Sequence, residues 1–295
     1  MQPLIIELAM NGETKPTRNP HVARAPDAIA AEAIACIAQG AAIIHNHSDD
    51  PMLCGEAAAH RYAQGWAPVL AAYPDAILCP SNTGGRDPAE RLAHLAPCAR
   101  SGARMAALDP GSMNMVLSGG GIGTARVLSY VNDFDRIATI LGVMREAGLA
   151  ASIGIYEPGF LRATVAFHRA GLLPQGSFVK FYFFGGANYY DATPCIGFGL
   201  GPSAAALDAY LEVLGDSGLP WAAAVVGGCV VETGMAERAI ARGGHVRIGL
   251  EDYAGPRQPT NADLIAEVAA IAQAAGRPLA TSREAARILG LSSRI

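Results

Sequence analysis

PDAIAAEAIACIAQGAAIIHNHSDD, residues 26–50, holds one complete helix-to-strand unit. Pro26 opens the helix where a missing N–H leaves no bond unmade, and Gly40 ends it where a left-handed cap suits a residue without Cβ. AAIIH (41–45) then reads as a short buried strand. The unit recurs in both directions along the chain. Strands are read near 3–10, 41–45, 76–80, 103–109, 151–156, 177–184, 219–226 and 245–250, and helices near 26–39, 56–72, 88–99, 133–147, 159–171, 202–215, 230–242 and 260–275. Many helices open on Pro, Asp, Ser or Thr, and Gly148, Gly171 and Gly243 repeat the Gly40 stop. Strands and helices alternating in this number predict a closed (β/α)8 barrel, the TIM barrel, over an open doubly wound sheet. TSREAARILG (281–290) becomes an appended C-terminal helix. No linker or solenoid-type repeat interrupts residues 1–295, so a single domain is expected. The longest irregular stretches are 110–132 and 185–201.

Composition narrows the function. With 51% hydrophobic and 16% charged residues the chain can bury a large core and is not disordered. A net charge of −4 and a pI near 6.0 offer no basic surface for nucleic acid or anionic lipid, so the expected partner is a small molecule. Cys36, Cys54, Cys79, Cys98, Cys195 and Cys229 lack the paired spacing of a zinc ribbon or disulfide scaffold and read as reduced thiols. The N-terminus has no basic segment and Glu7 breaks its apolar run, so no signal peptide is read; no stretch is apolar enough to span a membrane. A cytoplasmic protein is expected.

Barrel enzymes place their chemistry at the C-terminal ends of the strands. The first predicted strand ends in Asn11, Gly12 and Glu13, the second in His45, Asn46 and His47 followed by Asp49, the third in Asn82, Thr83, Gly84 and Gly85. The fourth leads to Asp109, Ser112 and Asn114, and the eighth to Glu251 and Asp252. His45 and His47 are two apart, so on extended backbone both imidazoles point to one side, as two ligands of one ion must. A carboxylate from Glu251 completes a set that leaves coordination open for substrate. Zinc is the first expectation, with manganese, iron or cobalt able to use the same ligands. Strand alternation lets only one of Glu251 and Asp252 face inward, and Asp252 is expected to turn back towards Arg247, which needs an anionic partner or substrate inside a barrel. Glu13 is read as a support for the ligands, an acid/base or a binder of a substrate ammonium. Asn82, Thr83 and Gly84 offer amides and a hydroxyl to an anion, or form a plain turn. SGGGIGTAR (118–126) lacks the setting of a dinucleotide fingerprint and is discounted. His21, His60, His94, His168 and His245 fall away from the strand ends and read as structural or solvent-exposed.

NGE (11–13), HNH (45–47), TGG (83–85), GSMN (111–114) and GGHVRIGLED (243–252), with the TNADLIAEVAAIAQAAGRPLATSREAARILGL stretch behind, resemble the β-keto acid cleavage enzymes over nearly the whole chain. The resemblance implies a (β/α)8 barrel binding one zinc ion through His45, His47 and Glu251. It implies a reaction of a β-keto acid with acetyl-CoA that yields acetoacetate and a new acyl-CoA, in a homotetramer. By position, Arg247 and Asp252 become an acid/base and orienting pair, and Glu13 contacts the substrate or its water.

Three departures bear on the substrate. Asp49 stands where the family motif His-x-His-x-Arg-Asp has Arg. Ser152 and Gly154 occupy the stretch of the fifth strand where a functional Glu is common, leaving Glu157 beyond it. Asn82 replaces the commoner Ser or Thr. Asp49 beside Glu13 would suit a cationic or polar β-keto acid. Amidohydrolases and lyases with His-x-His on other strands fit poorly, and a barrel that binds metal and ligand without turnover is the rival of another class. Arg18, Arg86, Arg126 and Arg257 all remain candidates for the CoA phosphates.

Overall fold

A computed structural model describes residues 1–292, except 86, 120–124 and 189. Eight parallel strands run round a ring: β1 (Ile6–Ala9), β2 (Ile43–Asn46), β3 (Ile77–Pro80), β4 (Met105–Leu108), β7 (Ala150–Ile155), β8 (Phe178–Phe184), β9 (Trp221–Val226) and β10 (His245–Ile248). Their order is β3-β2-β1-β10-β9-β8-β7-β4, and a parallel bridge between Leu78 and Ala103 brings β3 back to β4. This is the TIM barrel. Around it lie α1 (Pro26–Ala38), α2 (Gly55–Ala72), α3 (Pro88–Leu92), α4 (Leu95–Arg100), α5 (Phe134–Glu146), α6 (Pro158–Arg169), α7 (Ala204–Leu214), α8 (Met235–Ala241) and α9 (Asn261–Ala274). The six cysteines form no disulfide, and among the described residues no helix is long and apolar enough to cross a membrane.

Three local expectations are corrected. The stretch 110–132 contains an antiparallel hairpin, β5 (Met113–Ser118) with β6 (Arg126–Tyr130), which pairs with itself and stays outside the barrel sheet. The single helix expected near 88–99 is split into α3 and α4. The helix expected from 230 starts only at Met235, because Gly234 at φ +69° holds a left-handed turn that an α-helix cannot run through. The discounted Gly-x-Gly segment lies largely outside the described residues.

Inward side chains alternate along each strand and stack in layers. At the N-terminal end Ile5, Ile43, Ile77, Met105, Ala150, Phe178 and Ala222 form an apolar floor. The appended helix α10 (Ser282–Leu289) seals it with Ala285, Ala286 and Leu289. Thr281 and Glu284 close a reciprocal cap that starts this helix where the chain passes under the barrel. His245 belongs to this end: it accepts the Ile5 amide at 3.0 Å, and burial and Arg277 push its ring down to about 3, a structural histidine. The barrel is therefore closed below, and access is from the C-terminal mouth.

Candidate active site

The site starts where β2 leaves the barrel. Asn11, just past β1, accepts the His47 amide at 2.8 Å and donates to its carbonyl at 3.2 Å, which holds β2 extended through His47. Both imidazoles accordingly face inward. His45 Nδ1 lies 3.1 Å from the Cys79 carbonyl, an acceptor, so that nitrogen carries the proton and Nε2 turns its lone pair to the site. His47 is arranged in the same way: Nδ1 lies 3.4 Å from Glu13 and Nε2 faces inward.

Glu251 comes from the opposite side of β1. After Ile248 the chain turns sharply, and a Cβ at Gly249 would lie 1.9 Å from the Ala9 carbonyl oxygen, so only glycine allows this approach. The turn defeats strand alternation and sends both following carboxylates inward. Glu251 Oε2 lies 3.4 Å from His45 Nε2, and Oε1 lies 3.4 Å from His47 Nε2. Asp252 turns back on Arg247 as expected, with bonds of 2.8 Å and 3.1 Å.

The three donors suit a divalent ion. Their ligand atoms lie within 4.8 Å of one another. Two ligands each about 2.1 Å from a tetrahedral ion stand about 3.4 Å apart, the separation seen twice here. The electrostatics agree. Burial opposes charging of His47, yet Glu251 and Glu13 push it up to about 9. Burial disfavours the Glu251 carboxylate, but His45, Arg247 and His47 hold it well below the usual carboxylate range. The centre is thus poised to receive positive charge.

Beneath it lies an ionic layer. Arg247 donates to Glu7 at 2.9 Å and lies 3.0 Å from Glu251. Lys180 on β8 donates to Glu7 at 3.1 Å and to Ser152 at 2.6 Å. Burial works against the charge on Glu7, but Lys180 and Arg247 keep its carboxyl below the ordinary value. Glu7 and Lys180 escaped the sequence reading of the site, and Ser152 entered it only as a departure in the fifth strand. Their signal was a Glu and a Lys standing at inward parity in otherwise apolar strands.

Above the triad opens a cavity of about 580 Å³, lined by Glu13, His45, His47, Asn82, Thr83, Gly84, Asp109, Asn114, Arg247 and Glu251, with Ser152 and Lys180 deeper in. Its far wall is aromatic: Tyr156 packs on Tyr182 and Phe198 at 4.8 Å and 4.7 Å, and Phe198 on Phe184 at 5.4 Å. None of these rings was expected from the sequence, because three of them sit inside strands that read simply as core.

Other expected site residues are placed elsewhere. Asp49 does not line the cavity; Arg61 of α2 takes its carboxylate through Nε at 2.8 Å and 3.1 Å, so the reversed charge is neutralised outside. Ser112 is also absent from the lining, its hydroxyl accepting the Asn132 amide at 2.9 Å. Asp252 lies behind Arg247 and reaches the cavity only through it. The Gly84 amide is bonded to the Pro51 carbonyl at 2.8 Å and the Thr83 hydroxyl to the Arg91 carbonyl at 3.2 Å, which weakens the anion cradle expected at 82–85. Arg257 is held by Glu232 and Glu267, and Arg86 lies outside the described residues. Arg91, not singled out before, also lines the cavity among the described residues.

Comparison with known proteins adds four findings. The family profile of beta-keto acid cleavage enzyme matches residues 3–291. The chain is 29% identical over 297 residues to the 3-keto-5-aminohexanoate cleavage enzyme of Fusobacterium nucleatum subsp. nucleatum, covering 99% of each chain. It is 27% identical over 305 residues to the 3-oxoadipate:acetyl-CoA acetyltransferase of Cupriavidus necator, covering 99% of this chain and 96% of that one. Among solved structures the apo form of ObcA has the same fold, with a TM-score of 0.66 at 16% identity over 93% of this chain; the chain spans 66% of ObcA's length.

Proposed function

The chain belongs to the beta-keto acid cleavage enzyme family, and we propose that it converts a β-keto acid and acetyl-CoA into acetoacetate and a new acyl-CoA at a divalent metal, zinc first, held by His45, His47 and Glu251. The observation that carries this reading is the convergence of two oriented Nε2 atoms and one carboxylate at the floor of a cavity that also holds Arg247. The acetyl-CoA requirement is drawn from the named relative of Cupriavidus necator.

The chemistry balances as a pair of acyl exchanges. C2 of the β-keto acid gives up a proton and bonds to the acetyl carbon as the acetyl C–S bond breaks. The CoA sulfur then adds to the ketone carbon, the C2–C3 bond breaks, and acetoacetate leaves as an enolate that regains a proton. The ion, when bound, supplies Lewis-acid polarisation of the keto oxygen and carboxylate, worth several kcal/mol of charge stabilisation. Arg247 presents a fixed positive charge to the developing enolate. Asp252 positions that guanidinium, and Glu13, which lines the cavity beside His47, takes up the C2 proton and returns it to the departing enolate. Asn82, Thr83, Asp109 and Asn114 line the space for the substrate. Asp49 and Ser112 have no place in this assignment.

We further assign residues 1–295 to one (β/α)8 domain working in the cytoplasm as a homo-oligomer, a tetramer as the resemblance implies. Val127 on β6 and Val131 and Phe134 just after it are exposed and favour association. The relatives' names carry an amino-substituted and a dicarboxylic acyl chain, so they leave the acyl group of this chain's substrate open.

The test is mass spectrometry of zinc-loaded protein incubated with acetyl-CoA and a panel of β-keto acids. Metal-dependent acetoacetate with one preferred acyl-CoA, abolished in His47→Ala, is expected. No new acyl-CoA from protein holding about one metal per chain would overturn the reading.

A further inference from the structure

Lys180 stands on β8 at inward parity with Phe178 and Tyr182, buried at the floor of the cavity. An ammonium group taken out of water needs a counter-charge. Glu7 supplies it from across the barrel through Oε1 at 3.1 Å, and Ser152 on the neighbouring strand β7 accepts a second N–H at 2.6 Å. Arg247 uses the same carboxylate oxygen: its Nη1 donates to Glu7 Oε1 at 2.9 Å. The other oxygen, Oε2, has only the Ser152 hydroxyl at a long 3.4 Å. Burial opposes the charge on Glu7, and Lys180 and Arg247 together outweigh it, so the shared group is a carboxylate.

This sharing sets what Arg247 has left for a substrate. A guanidinium carries five N–H groups in one plane. Nε and Nη2 donate to Asp252, Nη2 also faces Glu251 at 3.0 Å, and Nη1 gives one N–H to Glu7. The second N–H of Nη1 meets no acceptor among the described residues, on a side chain that lines the cavity. Charge follows the same pattern. In direct contact, among the described residues, the layer joins two cations, Lys180 and Arg247, to three carboxylates, Glu7, Glu251 and Asp252. Without Lys180 one cation would face all three, and Glu7 would belong to Arg247 alone. In a site shut off from water such a change acts almost unscreened on charge that develops above it.

Resting on the cleavage reading above, we propose that Lys180 is a positioning residue for the reaction: it holds Glu7 on a shared oxygen and offsets its charge, so that Arg247 keeps one N–H and its positive field for the enolate. Ser152 fixes the ammonium from the adjacent strand. Lys180 itself touches no reacting atom and acts through Glu7 and Arg247. Its removal therefore lowers the rate of the chemical step and leaves substrate binding nearly unchanged. Neutralising Glu7 as well returns the layer to one cation and two carboxylates, the same net charge as in the native protein, and restores the rate.

The experiment compares zinc-loaded wild type, Lys180→Met and the double variant Glu7→Gln/Lys180→Met in steady-state kinetics with acetyl-CoA and the best β-keto acid of the panel, and adds a crystal structure of Lys180→Met. We expect kcat to fall by about 10- to 100-fold in Lys180→Met with KM changed by less than about threefold, and to recover to within about fivefold of wild type in the double variant. In the crystal structure Glu7 closes on the remaining N–H of Nη1. An unchanged kcat in Lys180→Met overturns the proposal. So does a double variant no faster than Lys180→Met, which is the result of plain damage to the barrel core. If wild type turns over no β-keto acid, the cleavage reading fails, and the position of Glu7 in the crystal structure decides the positioning role: a Glu7 that stays on a single N–H overturns it. Lys180→Gln carries the same tests if Lys180→Met does not fold.

Discussion

Arg247 and Asp252 meet through two hydrogen bonds, Nε to Oδ2 at 2.8 Å and Nη2 to Oδ1 at 3.1 Å, with both side chains almost fully buried. The same guanidinium reaches Glu7 and Glu251, so one side chain links the ionic layer to the metal triad. Asp252→Asn keeps the shape and removes the charge. We expect kcat to fall by at least about 100-fold with a much smaller change in KM, as for a group that acts on the transition state through its partner. Steady-state kinetics check this; a change confined to KM would contradict the positioning role.

Metal binding should stabilise the fold. At about 100 times the dissociation constant an ion adds about 2.7 kcal/mol, which for a chain of this size raises Tm by roughly 4 °C. Calorimetry with and without zinc reads the shift. His47→Ala and Glu251→Gln should each abolish most of it, whereas Glu32→Gln, remote from the triad, should keep it.

Glu7 serves two buried cations. Glu7→Gln leaves Lys180 and Arg247 short of one counter-charge and should cost about 3–5 kcal/mol in denaturant unfolding. Adding Lys180→Met should restore a large part, because the uncompensated charge is then gone. Additive losses in the double-mutant cycle would mean that the pair is not coupled.

Asp49 should have no say in substrate choice. Its carboxylate is held by Arg61, away from the cavity, and that bond keeps its carboxyl below the ordinary value. In Asp49→Ala the ranking of β-keto acids stays unchanged within about twofold. A reordered panel would return Asp49 to the site.

Glu32 on α1 predicts a pH effect on stability. Burial raises its carboxyl from 4.5 to about 7, opposed by its bond from Asn261. Below pH 4.5 both folded and unfolded chains hold the proton and the group is neutral in its effect. As pH rises from 4.5 through 7 the unfolded chain releases the proton first, so stability falls and the loss is complete above 7. Glu32→Gln should therefore match wild type at pH 4 and exceed it at pH 8 by on the order of 2 kcal/mol, allowing for its partial exposure. Urea unfolding at the two pH values checks the sign.

The barrel and its metal ligands were legible because both depend on local rules. Helix caps, apolar runs and Gly stops repeat within each unit, and His45 and His47 share a side through strand parity alone. Parity failed at Glu251 and Asp252, where the close approach of Gly249 to Ala9 turns the chain and brings both carboxylates inward. The β5–β6 hairpin was hidden in a stretch without clear alternation, and with it the bond from Tyr130 to Asp109. Asp49 was read from its neighbours in the chain, while its direction is set by Arg61 on the following helix. The ionic layer lay furthest from any sequence argument: Glu7 meets Ser152 and Lys180 across 145 and 173 residues. Pattern in the chain thus determined which residues face the barrel interior, since that follows from periodicity. Which of them meet, and which charges are left to a ligand, was decided only when the barrel closed and brought strands remote in sequence to within hydrogen-bonding distance.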